Sequence, residues 1–176
     1  MRIISGKYRG RRFELPKDLK ARPTTDFAKE GLFNILNNRI DFENISILDL
    51  FSGTGSIAFE FISRGAARAT CIEQYPPHVK FIRNVAAKLG EDVTVIQGDA
   101  YRFISGTHQK YDVIFADAPY ADKDLPKIPE LIFKADILAE DGLLIVEHSS
   151  KTDLSKETGF IEKRSYGSVN FSFFEK

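Results

Sequence analysis

Between positions 45 and 148 short apolar runs alternate with stretches in which apolar residues recur every three to four positions. Ile45, Ile47, Leu48, Leu50 and Phe51 open the series and predict a strand over 46–51, with further strands over 69–73, 93–97, 111–116 and 143–148. Mostly apolar runs of this length are what strands buried on both faces of a parallel sheet require. The stretches between them predict helices over 56–64, closed by Gly65, and over 76–89, opened by Pro76-Pro77 and closed by Gly90. A short helix is expected over 101–104. Another is expected over 125–138, where Pro126 and Pro129 confine the regular part to the later half. Upstream, Ala28, Leu32, Ile35 and Leu36 share one face and predict a helix over 26–38, the regular part of a leading helical segment at 23–39. Asp26 in its first turn suits the helix dipole.

The two ends of the chain have other rhythms. Residues 159–166 and 169–175 are strand-like and joined by Gly167-Ser168, a hairpin signal, with Phe171, Phe173 and Phe174 as core residues of an edge strand. Residues 2–15 alternate weakly around Gly6 and Gly10. They predict a hairpin or extended arm within residues 1–20, packed through Ile3, Tyr8 and Phe13 and ended by Pro16, with a polar link over 17–22. Five βα units followed by a hairpin give an α/β fold: a doubly wound, mostly parallel Rossmann-like sheet with helices on both faces and an antiparallel C-terminal hairpin.

Composition narrows the classes. A chain of 176 residues, 43% hydrophobic and 28% charged, is expected to form one domain. No apolar run approaches the roughly 20 residues a membrane helix needs, and the N-terminus lacks a signal-peptide core, so a cytoplasmic protein without membrane contact is expected; separately, a monomer is expected. Cys71 is the single cysteine, which excludes an intrachain disulfide and reads as a buried small apolar residue. His78, His108 and His148 lack ligand spacing, so no metal is expected. The formal net charge of zero hides a gradient. Residues 1–25 hold eight basic and two acidic residues, leaving 17 basic and 23 acidic in the rest. A charge run is usually plain solvated surface, but Tyr8 and Phe13 interleave this one, which favours contact with a polyanion. Lys7, Arg9, Arg11, Arg12 and Arg22 are the candidate nucleic-acid contacts.

The candidate chemistry lies where the first apolar run breaks. Ser52-Gly53-Thr54-Gly55 separates strand from helix, a geometry that brings backbone N–H groups close to a small ligand. A dinucleotide loop has the same outline. Asp49, however, places a carboxylate near the end of the strand, where it would repel a pyrophosphate and attract a cation. S-adenosylmethionine, with an ammonium and a sulfonium, meets that requirement. Glu73, at the tip of the second strand, can accept both hydroxyls of a ribose, a feature that NAD shares. Asp99 follows the third strand and can serve as an acceptor for an adenine amine, as the N-cap of the helix behind it, or as both.

Asp117-Ala118-Pro119-Tyr120 ends the fourth strand. Standing alone it is a common strand-ending turn. After a loop of the kind just described it has a second use. The NH2 of guanine or adenine is a poor nucleophile because its lone pair is delocalised into the ring. A carboxylate and a backbone carbonyl, each accepting one N–H, hold such a nitrogen closer to tetrahedral, and a flat aromatic stacks the base.

These segments occur together in a known family. Gly6-Lys7-Tyr8-Arg9-Gly10, Arg22-Pro23-Thr24-Thr25-Asp26, Leu32-Phe33-Asn34-Ile35-Leu36, the loop at 49–55, Ser63-Arg64-Gly65-Ala66 and the turn at 117–120 resemble, in the same order, the bacterial 16S ribosomal RNA guanine-N2 methyltransferases of the RsmD type. The likeness spans nearly the whole chain. It implies a single methyltransferase domain of class I fold over 1–176, S-adenosyl-L-methionine as donor, and a guanine N2 of 16S ribosomal RNA or the small ribosomal subunit as acceptor. It implies Asp49, Phe51, Gly53, Gly55, Glu73, Gln74, Asp99 and Ala100 on the cofactor side and Asp117, Ala118, Pro119 and Tyr120 on the target-base side. The chain departs from the family at Ala118, where proline is usual, and at Ala58, where glycine is common. Alanine keeps the backbone carbonyl but gives up the φ restriction of proline. Competing readings are a DNA adenine-N6 or glutamine methyltransferase with the same turn, a non-catalytic RNA-binding or ribosome-assembly protein with a degenerate site, and an NAD enzyme.

Overall fold

The computed structural model describes residues 1–16 and 25–176. Among them, seven strands form one sheet: β1 (Ser46–Leu50), β2 (Arg68–Glu73), β3 (Val93–Gln97), β4 (Tyr111–Ala116), β5 (Leu138–His148), β6 (Phe160–Tyr166) and β7 (Val169–Glu175). Their order is β3-β2-β1-β4-β5-β7-β6. The first five pair in parallel, and β7 pairs antiparallel with both β5 and β6. The expected hairpin is present, but its second strand is the inner one. Phe171, Phe173 and Phe174 therefore belong to an interior strand and not to an edge. Each is fully buried, because both faces of β7 are covered.

The helices are α1 (Asp26–Leu36), α2 (Ser56–Arg64), α3 (Pro76–Leu89), α4 (Ala100–Gly106) and α5 (Ile128–Ala135). Alternation along the strands divides the core into two layers. Ile47, Val113, Phe115, Leu143, Ile145, Phe171 and Phe173 face α1, α2 and α3. Leu48, Leu50, Ile114, Ala116, Leu144, Val146 and Phe174 face α4 and α5. Cys71 is buried as a free thiol in the first layer.

Several boundaries differ from expectation for local reasons. β1 stops at Leu50 because Phe51 turns into the left-handed region at φ 60°. α1 starts on Thr25, whose hydroxyl accepts the Ala28 N–H at 3.2 Å, and ends at Leu36, not Asn38. Phe33, outside the expected face, is buried against Phe42 and Phe61, while Ile35 is only partly buried. Asp99 caps α4, which lengthens it to 100–106. The helix expected to reach 138 ends at Ala135, since Asp136 takes the left-handed conformation. β5 accordingly starts at Leu138, five residues earlier than expected, paired with Tyr111 before a register shift.

Residues 1–13 form a hairpin with an isolated antiparallel bridge between Arg2 and Arg12. It lies along α2. The Ile4 and Ser5 N–H groups donate to the two oxygens of the buried Glu60 at 2.8 and 2.9 Å, and the Lys7 N–H donates to the Ser63 carbonyl at 2.7 Å. At Gly6, which has φ +79°, a Cβ would stand 1.8 Å from that carbonyl oxygen, so only glycine lets the chain lie so close. Ile3 is buried, and Tyr8 and Phe13 pack against the same core, as the alternation predicts. Lys29 is buried under the hairpin: its ammonium donates to the Arg2 carbonyl at 2.6 Å and to Ser56 Oγ at 2.9 Å, and sits 3.6 Å from Glu60. Burial lowers its pKa, and Glu60 opposes the shift.

Candidate active site

A cleft of about 330 Å3 opens at the carboxyl ends of β1, β4 and β5. Asp49, Phe51, Ser52, Gly53 and Thr54 line one part of it, and Asp117, Ala118, Pro119 and Tyr120 line another. Thr25, Ser56, His78, Glu147, Ser168 and Val169 contribute further wall. Register explains how carboxylates from three strands converge. Asp49 lies beside Phe115 across the β1–β4 pair, on the same sheet face as Ile47. Asp117 and Glu147 each follow the paired residues Ala116 and Val146, so they stand side by side on that face. The described lining holds three carboxylates and no lysine or arginine.

Asp49 is 2% exposed. Its Oδ2 accepts the Ala58 N–H at 3.3 Å. Burial raises its pKa to about 8, and nearby Glu73 adds to the rise, while the Ala58 N–H opposes it. In the free protein at neutral pH the carboxyl therefore holds its proton and is ready to ionise beside a cation. The loop above it depends on left-handed backbone at Phe51, Gly53 and Gly55. Phe51 adopts this conformation despite its side chain, with its ring edge-on to Tyr101 at 5.5 Å. Gly55 sits beneath the loop as the residue before α2, where a Cβ would press on Phe59 and Ile82 at 3.1 and 3.2 Å.

Glu73 is buried, and its two oxygens accept the N–H groups of Gly53 and Tyr75, each at 2.7 Å. It thus fastens the glycine loop to the tip of β2. Gln74 beside it is exposed. Asp99 realises the capping alternative: it is exposed, and its Oδ1 accepts the Arg102 N–H at 2.9 Å. Ala100 is buried under it. Gly55, Glu73, Gln74, Asp99 and Ala100 are not among the residues that line the cleft.

The turn at 117–120 is braced from two sides. The Asp117 N–H donates to the Leu50 carbonyl at 3.4 Å, and the Asp122 N–H donates to the Pro119 carbonyl at 2.7 Å. The Tyr101 hydroxyl donates to Asp122 Oδ2 at 2.8 Å, which ties the turn to the start of α4. These contacts constrain a turn that has alanine, not proline, at position 118. Tyr120 is 38% exposed, and its hydroxyl donates to Glu147 Oε1 at 3.1 Å. Glu147 is 3% exposed and was missed by sequence reasoning, as was His78, whose Nδ1 is 3.7 Å from Glu73 Oε2. Glu147 is the next-to-last residue of an apolar strand, as Asp49 is, and that shared signal could have found it.

Of the candidate nucleic-acid contacts, Arg9, Arg11 and Arg12 are exposed on the hairpin, with Arg11 over the Tyr8 ring at 5.0 Å. Lys7 is paired with Glu91 at 2.7 Å at the far end of the hairpin, and Glu91 also accepts the Tyr8 hydroxyl. Its charge is already answered within the molecule, so it is a weaker candidate than its neighbours. Arg22 and the link at 17–22 lie outside the described residues, apart from which Thr25 reaches the cleft.

The family described as Conserved hypothetical protein 95 matches residues 1–175. The chain belongs to this family. The chain is 32% identical over 155 residues to the ribosomal RNA small subunit methyltransferase D of Escherichia coli strain K12, covering 88% of this chain and 77% of that protein. It is 32% identical over 151 residues to the protein of the same name from Buchnera aphidicola, covering 85% and 76%. Among solved structures, the yhhF protein of Escherichia coli superposes with a TM-score of 0.87 at 28% identity, covering 100% of this chain and 97% of that one. The fold is the class I methyltransferase fold that the sequence resemblance implies.

Proposed function

We propose that the protein transfers a methyl group from S-adenosylmethionine to the N2 amine of a guanine in 16S ribosomal RNA. One methyltransferase domain acts here on naked RNA or on the small subunit, in the cytoplasm. The observation that carries this reading is the acidic cleft: three carboxylates on adjacent strand ends beside a glycine loop, with no lysine or arginine in the described lining. A pyrophosphate would find three carboxyl groups and no lysine or arginine in the described lining, which argues against a nicotinamide dinucleotide. The names of the relatives point to ribosomal RNA in preference to DNA.

The residues fit the donor. Asp49 faces its positive charge, the Phe51–Gly55 loop passes over it, and Glu73 accepts ribose hydroxyls by exchanging its hold on the loop amides. Gln74, Asp99 and Ala100 border the adenine end. When bound, S-adenosylmethionine supplies a methyl group on a sulfonium, so neither a metal nor a covalent enzyme intermediate is required. Asp117 and the Ala118 carbonyl each accept one N2–H of guanine, which returns the nitrogen lone pair toward the methyl group. Tyr120 stacks the base, and Asp117 stabilises the amine as it gains charge and then receives its surplus proton. Arg9, Arg11 and Arg12, with Arg22, hold phosphates and position the RNA without reading its sequence.

Titration calorimetry with S-adenosylmethionine and with NAD, followed by nucleoside mass spectrometry of treated small-subunit RNA, tests this. Uptake of the methyl donor and appearance of N2-methylguanosine are expected. Uptake of NAD alone, or a methyl group on adenine, overturns it.

A further inference from the structure

Glu147 has no part in the chemistry described so far, yet it is a carboxylate almost wholly withdrawn from solvent in the wall of the cleft. Such a group is costly to bury unless it is hydrogen-bonded. Its Oε1 accepts the hydroxyl of Tyr120, the ring assigned to stacking the base. It stands beside Asp117, one residue past the Ala116–Val146 pair, on the same face of the sheet. The acceptor beside the amine-binding carboxylate is thus hydrogen-bonded to the ring assigned to stacking.

We infer that Glu147 is the specificity-determining residue that selects guanine by accepting its N1–H. This rests on the guanine-N2 reading given above. Guanine presents three donors in a row, N1–H and the two hydrogens of N2. With Asp117 and the Ala118 carbonyl on the N2 hydrogens, the next donor along the ring edge is N1–H, on the side where Glu147 stands. Adenine presents a lone pair at N1. Set against a buried carboxylate, that lone pair repels and leaves the charge without a new partner. A site built to bond one donor rejects an analogue that lacks it far more strongly than an apolar pocket can.

The test replaces the target guanosine of the RNA substrate by 2-aminopurine riboside, which keeps the N2 amine but has no N1–H. The full chain should methylate guanine at least about 100-fold more efficiently in kcat/KM. Glu147→Gln keeps an oxygen for Tyr120 and adds an N–H that can meet a bare N1. It should bring the guanine preference to within about tenfold, with S-adenosylmethionine affinity by calorimetry and the thermal midpoint unchanged. The fluorescence of 2-aminopurine gives a second readout independent of turnover: quenching on entry into the pocket should saturate at lower protein concentration for the variant. Loss of O6 in the analogue affects both proteins alike, so the change in ratio reports N1. Equal methylation of both bases by the parent overturns the inference, as does a variant that slows both while keeping their ratio. If the parent forms no N2-methylguanosine at all, the proposed function itself fails, and the assignment of Glu147 falls with it.

Discussion

The cleft and the N-terminal hairpin carry charges of opposite sign and hold them in opposite ways. In the cleft, Asp49 and Glu147 are almost fully withdrawn from water and fixed on strands or strand ends, and burial keeps the Asp49 carboxyl neutral until a cation or a rise in pH ionises it. On the hairpin, Arg9, Arg11 and Arg12 remain hydrated, and their reach is set by salt. Buried charge acts at contact distance and selects; exposed charge acts over a Debye length and gathers. The net charge of zero, taken over the whole chain, describes neither of these local fields. Within the hairpin all of these cations are exposed, but Lys7 is paired with Glu91.

The sharpest way to break the comparison is Asp117→Ala. Removing a preorganised acceptor at the reacting nitrogen should lower kcat by about 100- to 1,000-fold. S-adenosylmethionine affinity by calorimetry should change less than about twofold. Retained turnover would take Asp117 out of the chemistry and leave the cleft as a binding pocket only.

Asp49→Asn comes next. At pH 8 it should weaken S-adenosylmethionine binding by about tenfold, the scale of one partly screened charge contact. Below about pH 8 the parent must lose the Asp49 proton to meet the cation, so its affinity should rise between pH 6 and 8, and the variant should lose that rise. Stability runs the other way. The folded pKa lies above the unfolded value near 4, so the contribution of this group is full below about pH 4 and is lost as pH rises through about 8. Thermal unfolding should therefore show the variant gaining on the parent between pH 5 and 8. Parallel curves would remove Asp49 as the titrating group.

Replacing Arg9, Arg11 and Arg12 together by glutamine should flatten the plot of log affinity for RNA against log salt by about 2, taking roughly 0.7 for each single-strand phosphate contact. Catalysis at saturating RNA should persist. An unaltered slope, read by filter binding, would return the hairpin to the role of a scaffold for α2. The smallest effect is expected from Lys7→Gln, under about twofold on RNA affinity, because an exposed ion pair already occupies that ammonium. A loss as large as that of the triple change would mean that Lys7 leaves Glu91 for the RNA.

The chain's own pattern determined the layers. Apolar runs placed β1 to β4, the three-to-four spacing placed α1, glycine and proline boundaries placed α2 and α3, and the glycine loop, Asp49 and the turn at 117–120 were legible because each breaks an apolar strand at its carboxyl end. Alternation in a strand has a period of two, so the sequence already held the parity that puts Asp49, Asp117 and Glu147 on one face. What it could not hold was which strands are neighbours. Only the order β1-β4-β5-β7 brings Glu147 beside Asp117, turns Phe171 and Phe173 from edge to interior, and sets Tyr101 against Asp122. The pairing of Lys7 with Glu91 was likewise decided in three dimensions. The reason is the same in each case. Local sequence sets the conformation and the face of a segment, while the partners of a polar side chain come from segments dozens of residues away, brought together by burial of the apolar faces.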